Sequence, residues 1–359
     1  LTTFLAMAYI LFVNPQILSA SGMNEGAVYT ATALSAIIGT LLMGLLANLP
    51  VALAPGMGIN AFFTYTVVIG YGIPWETALT AVFISGVLFL LLSFSGVREK
   101  VINGIPGTLK LAVGAGIGLF IAFIGFKNVG IIVADEGNMI ALGDLTNGDT
   151  ALAIFGLIVT VLLITLKVNG GVFYGMVITA IVGIIFGLIE LPTQIVSGVP
   201  SLAPTFGKAF TNFSGMWSWQ MVGVIVTFLF VDFFDTAGTL VAVAEKAGLM
   251  KNGELPRAGE ALLADSTATV AGSILGTSTV TSFVESATGV GAGARTGLAS
   301  VFTSLFFALA LFFSPLLTVV TSAVTAPALI IVGVMMASAL KNIDWDDFSV
   351  AVPAFLTVL

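Results

Sequence analysis

The sequence predicts an all-α polytopic membrane protein built from two related halves that run in opposite directions through the bilayer. Three observations carry that prediction. Of 359 residues, 58% are hydrophobic and only 8% charged, whereas soluble domains carry about 25% charged residues. The apolar residues gather into twelve segments of roughly bilayer-crossing length and the start of a thirteenth. Short motifs of the first half also recur about 226 residues later in the second.

A membrane-crossing helix needs about 20 apolar residues. Segments of that kind lie at 1–20, 27–48, 51–70, 76–95, 106–128, 150–168, 171–190, 219–244, 258–276, 278–297, 298–313 and 315–340, and a thirteenth begins near 350. Basic residues set the orientation. With the N-terminus cytoplasmic, Arg98, Lys100, Lys110, Lys167, Lys246, Lys251, Arg257, Arg295 and Lys341 fall inside. Only Lys127 and Lys208 fall outside, and the acidic loop with Asp135, Glu136, Asp144 and Asp149 is then external.

The repeat is faint. Thr3-Phe4-Leu5 returns as Thr227-Phe228-Leu229, and Gly39-Thr-Leu-Leu-Met-Gly44 returns loosely as Gly272-Ser-Ile-Leu-Gly276. Val51-Ala-Leu-Ala-Pro-Gly-Met-Gly-Ile-Asn60 precedes the hydroxyl- and glycine-rich stretch 278–297 by a similar interval. Seven spans separate corresponding elements, an odd number, so the halves are expected to be inverted. Paired interrupted segments in an inverted repeat point to a transport site. By the same count the second half lacks its last span and most of the one before, so truncation at the C-terminus is expected.

Composition also excludes. The chain has no cysteine and no histidine, which removes disulfides and the usual metal ligands and leaves proton chemistry to carboxylates. A net charge of -7 argues against nucleic acid.

Of eighteen carboxylates, four fall well inside spans: Asp232, Asp235, Asp265 and Glu285. Each would cost roughly 2.5–3.5 kcal/mol at a lipid-facing helix centre, so all four are expected to face protein or a water-filled cavity. Asp232 and Asp235 are three apart and share a helix face, which Thr239 continues four residues on. Asp235 reads as a ligand carboxylate or as a buried acid bonded to a neighbouring helix. Asp265, followed by Ser266, Thr267 and Thr269, reads as a network member orienting Asp235 or Glu285, or as a direct contact. Glu285 follows Thr279-Val-Thr-Ser-Phe-Val284, a β-branched run suited to a short extended piece. Ser286 or Thr288 could then cap a half-helix starting there. In the first half, Pro55-Gly-Met-Gly58 breaks the chain and Asn60 stands at the start of the next helix. A packing seam of small residues would explain the glycines but neither Glu285 nor Asn60. Phe62, Phe63, Phe233, Phe234 and Phe283 flank these positions, and one or two could stack on a planar ligand.

Three motifs, Phe230-Val-Asp-Phe-Phe-Asp-Thr-Ala-Gly-Thr-Leu240, Ala54-Pro-Gly-Met-Gly-Ile-Asn-Ala-Phe-Phe63 and Thr279-Val-Thr-Ser-Phe-Val-Glu-Ser-Ala-Thr-Gly-Val290, resemble the AzgA-like hypoxanthine/guanine permeases, a branch of the nucleobase–ascorbate transporter superfamily. Ile105-Pro-Gly-Thr-Leu-Lys-Leu-Ala112 and Gly116-Ile-Gly-Leu-Phe-Ile-Ala-Phe-Ile-Gly125 extend the likeness over nearly the whole chain. The resemblance implies a 7+7 inverted-repeat fold of fourteen spans, of which about twelve to thirteen are present here, with short strands in broken spans 3 and 10. It implies a core domain from 1–95 (spans 1–4) and 219–313 (spans 8–11). A gate domain would come from 96–218 (spans 5–7) and 314–359 (span 12 and the start of 13), often pairing as a homodimer. It implies import of purine bases with protons across the plasma membrane by an elevator motion of core against gate, without a cofactor and without enzymatic chemistry. By position it assigns Asp235, Glu285 and Asn60 to the substrate and Asp265 to their support. Thr239 stands where related branches carry histidine.

A carboxylate can accept two parallel N–H bonds from guanine's N1–H and 2-amino group, whereas adenine offers an acceptor at N1. The expected substrate set is therefore Asp235 and Glu285 as base readers with Asn60, Thr239, Phe283 and Ser286 around them. Asp265, Asp232 and Glu285 form the proton-coupling network, with H⁺ as coupling ion and Na⁺ as the alternative. Two other readings differ in class. An anion or other small-solute exchanger of the same fold would want a basic or neutral site. An intramembrane aspartyl protease would want Gly-x-Gly-Asp within a span, and the nearest match, Leu142-Gly-Asp144, falls in a loop.

Overall fold

The computed structural model describes residues 1–94, 107–250 and 255–358. In chain order the elements are α1 (Thr2–Met7), α2 (Ile10–Ser19), α3 (Glu25–Leu42), β1 (Leu53–Pro55), α4 (Met57–Ala61), α5 (Trp75–Phe94) and α6 (Gly107–Asn128). Then come β2 (Ile132–Asp135), β3 (Met139–Leu142), α7 (Gly148–Thr165), α8 (Gly171–Ile185), α9 (Trp219–Ala247) and α10 (Ala258–Leu275). The chain continues through β4 (Val280–Ser282), α11 (Ser286–Gly291), α12 (Leu298–Ala310), α13 (Ser322–Ala337) and α14 (Phe348–Val358). Polar caps set several starts. Asn24 accepts the Ala27 N–H ahead of α3, Ser218 accepts that of Met221 ahead of α9, and Asn147 accepts that of Asp149 in α7.

Eight helices among the described residues are long and apolar enough to cross a membrane, fewer than the thirteen segments expected. Segments 51–70 and 278–297 each combine a strand with a short helix, because Pro55 and Gly56 in one and β-branched residues in the other interrupt the helical ladder. The segment 258–276 is a single helix, but Asp265 and its hydroxyl neighbours make it too polar to count. In 171–190 only fifteen residues are helical.

The chain divides into two compact units, residues 1–104 with 197–314 and residues 105–196 with 315–359. The stretch 197–218, which the sequence reading grouped with spans 5–7, belongs to the first. There it touches one helix after another. Ser197 donates its N–H to Phe312, Thr30 bonds the Pro200 carbonyl, and Thr205 bonds that of Leu275. Phe210 packs edge-on against Phe83.

Among the described residues, two apolar clusters lie in the first unit. Leu18, Val28, Ile59, Phe63, Leu79, Val224 and Phe228 form one, and Met43, Leu53, Phe89, Phe233, Leu240 and Val280 the other. Lipid is as apolar as these side chains, so their cohesion comes from packing rather than from escape from water. The second unit shows the same logic where α6 crosses α13. A Cβ on Gly118 would lie 2.7 Å from the Gly333 carbonyl oxygen, so only paired glycines allow that approach.

Candidate functional site

The site is built on a two-stranded sheet inside the first unit. β1 runs antiparallel to β4, pairing Leu53 with Ser282, Ala54 with Thr281 and Pro55 with Val280. The two-fold axis of that pairing carries Leu53 onto Val280 and Pro55 onto Ser282, an interval of 227 residues that matches the repeat in the sequence.

A two-stranded sheet has two open edges, and a buried edge must find partners for its N–H groups. Each is accounted for. The Thr40 hydroxyl accepts the Leu53 N–H at 2.9 Å and donates to the Leu53 carbonyl at 3.0 Å. Its counterpart Thr269 accepts the Val280 N–H at 3.1 Å and reaches the Val280 carbonyl at 3.0 Å. The Ser282 N–H goes to the Thr236 hydroxyl at 3.3 Å. Pro55, at the fourth edge position, has no N–H to satisfy.

Two of the four acids stand behind these threonines. Thr236 donates to Asp265 Oδ1 at 2.7 Å, and Thr269 lies 3.2 Å from Asp232 Oδ2. Asp232 and Asp265 are 2% and 0% exposed, and each keeps one buried oxygen without a hydrogen bond. Both acids therefore meet β4 through a threonine.

The other two acids are half-buried and flank the same strand. Asp235 Oδ2 accepts the Thr281 hydroxyl at 3.0 Å. Glu285 lies at the start of α11, and its Oε1 accepts the Tyr9 hydroxyl at 2.5 Å.

The remaining candidates separate. Asn60 is fully buried in a polar net: its amide donates to Asn14 Oδ1 at 2.5 Å and its carbonyl accepts from Ser278. Asn14 in turn donates to Thr32 and Thr277. Ser286 does not cap α11 as expected. Its hydroxyl accepts the Ala52 N–H at 3.0 Å, and Thr288 donates instead to the Glu285 carbonyl. Phe283 is buried, its N–H bonded to the Ala52 carbonyl, while neighbouring Val284 is exposed. Thr239 lies half-buried one turn beyond Asp235, outside the hydrogen-bonded network around β4. Sequence reasoning missed Tyr9, Asn14, Thr236 and Thr281, and took Thr269 only as a hydroxyl neighbour of Asp265. For Asn14 a signal existed, since an amide in mid-span must find partners as a buried acid must.

The Permease family model matches residues 1–359. The chain belongs to the Permease family. Relatives include the guanine/hypoxanthine permease PbuG of Bacillus subtilis, 60% identical over all of this chain and 84% of that protein. The adenine permease AdeQ of Escherichia coli is 43% identical over all of this chain and 80% of its own length. Among solved structures, the transmembrane domain of the cyanobacterial bicarbonate transporter BicA has the same fold, with a TM-score of 0.72 at 14% identity over 99% of this chain and 93% of that one. The protein is thus a multi-pass membrane permease rather than an enzyme.

Proposed function

We propose that the protein carries purine nucleobases across the membrane, with hypoxanthine and guanine preferred over adenine. The observation that carries this reading is the pair Asp235 and Glu285. Each is half-buried beside β4, and each has one oxygen anchored by a hydroxyl of the protein. Carboxylates so held accept N–H groups in fixed directions, as the N1–H and 2-amino group of guanine require. The names of the relatives support the same substrate class. Asn60, locked in the net with Asn14, holds α4 in register rather than reading the base by itself.

Transport is coupled to protons through the carboxylates around β4, and one charge moving across 100 mV supplies ~2.3 kcal/mol, enough for roughly fifty-fold accumulation. The first unit corresponds to a core that travels against a gate, in a fourteen-span inverted repeat with its N-terminus on the cytoplasmic side of the plasma membrane. The gate provides the dimer contact. The fold shared with BicA favours one rival, an anion carrier, but an acidic site repels anions.

The test is uptake of radiolabelled hypoxanthine by cells expressing the protein, with a panel of competing purines and with or without a protonophore. Guanine and hypoxanthine should abolish uptake, adenine should compete less, and the protonophore should collapse accumulation. Bicarbonate uptake without purine competition would establish the rival.

A further inference from the structure

Glu285 is steered from the other end of the chain. Its Oε1 takes the hydroxyl hydrogen of Tyr9, 276 residues earlier, and Tyr9 is 1% exposed. Tyr9 lies in the turn between α1 and α2, and both sides of that turn are fixed. On one side α1 rests directly on α11, where a Cβ on Gly289 would overlap Thr3 Oγ1. On the other, Asn14 in α2 is tied to Thr32, Thr277 and Asn60. The phenol therefore has little freedom to leave Glu285. With its ring buried it cannot stack on a ligand, and its single hydrogen is already committed to the carboxylate.

We propose that Tyr9 is a positioning residue for substrate recognition. It anchors Oε1 so that Glu285 presents its second oxygen to the incoming N–H in one orientation. A free glutamate has three side-chain torsions to order on binding, which weakens affinity, and Tyr9 orders them beforehand. This inference rests on the purine reading above.

The test is equilibrium binding of guanine to the purified protein and to Tyr9→Phe, Glu285→Gln and the double variant. Losing a hydrogen bond to a charged group should weaken guanine binding about ten- to a hundredfold in Tyr9→Phe. In transport, KM should rise by a similar factor while the rate at saturating guanine is held. In the Glu285→Gln background, where the acceptor is uncharged, the same substitution should cost severalfold less than it does with Glu285 in place, about two- to tenfold in all. Binding by Tyr9→Phe within about twofold of wild type overturns the proposal. An equal loss in both backgrounds does so too, since it marks a packing role. Failure of the unmodified protein to bind guanine overturns the purine reading and this one with it, a distinct outcome. If Tyr9→Phe does not accumulate, 3-fluorotyrosine at position 9 keeps the ring and strengthens the donor. The resulting change in guanine binding should be larger with Glu285 than with Gln at that position, and an equal change in both backgrounds, or none, overturns the proposal.

Discussion

Replacing Thr236 by valine removes one oxygen and leaves the side-chain shape nearly intact, yet it strips partners from two buried groups. Thr236 is fully buried, accepts the Ser282 N–H and donates to Asp265 Oδ1. Asp265 Oδ2 has no hydrogen bond, so the substitution leaves that carboxylate with none. An orphaned buried group costs about 1–3 kcal/mol, and more if charged, so the expected loss is about 2–6 kcal/mol. For a unit of roughly 220 residues, 1 kcal/mol moves the melting temperature about 2–4 °C, so a drop on the order of 5–20 °C follows. The assay is thermal unfolding of the purified protein in detergent, followed by tryptophan fluorescence, with Thr236→Ser as control. Serine keeps the hydroxyl and should melt close to wild type. If Thr236→Val melts within about 2 °C of wild type, the strand edge does not depend on this hydroxyl and the reasoning fails.

Asn60→Ala deprives the Asn14 carbonyl and the Ser278 hydroxyl of partners, and should lower thermal stability by about 2–6 kcal/mol in the same assay. Asp235→Ala should abolish guanine binding measured by calorimetry. Thr281→Val, which spares the carboxylate and removes only its anchor, should weaken binding by about tenfold or less. Gly289→Ala should reduce membrane abundance on immunoblots by forcing α1 off α11, and adding Thr3→Ala should restore it by making room.

Several parts of this arrangement are legible in the residues themselves. Pro55 and Gly56 mark the end of extended chain ahead of α4, and β4 falls within the β-branched run 279–284. The four intramembrane acids stand out because lipid cannot solvate them. The hydroxyls are harder to read. Thr160 and Thr179 spend theirs on the carbonyl four residues back, as helical threonines commonly do. Thr40 and Thr269 serve strands instead, and Thr236 joins a strand to an acid. Nothing local distinguishes the two kinds, because the partners of Thr236 lie 46 and 29 residues away. Tyr9 is hidden for the same reason, as a tyrosine in an apolar span normally fills space. Ser286 misled because its position suits a cap, whereas the sheet needs its oxygen for Ala52.

The segment 197–217 lies on the first unit as a strap joined to Phe312, Thr30, Leu275 and Phe83 in turn. The strap therefore travels wherever those helices travel and supplies no slack of its own. The Leu188 and Ile189 N–H groups are already bonded to the Gly183 carbonyl, so the free length ahead of the strap is residues 190–196. Seven residues at full stretch span about 24 Å. The other described crossing between units falls at Ser314 and Pro315, just past the kink at Phe313 where two short helical turns meet. Residues 190–196 cap the distance that the chain can bridge ahead of the strap.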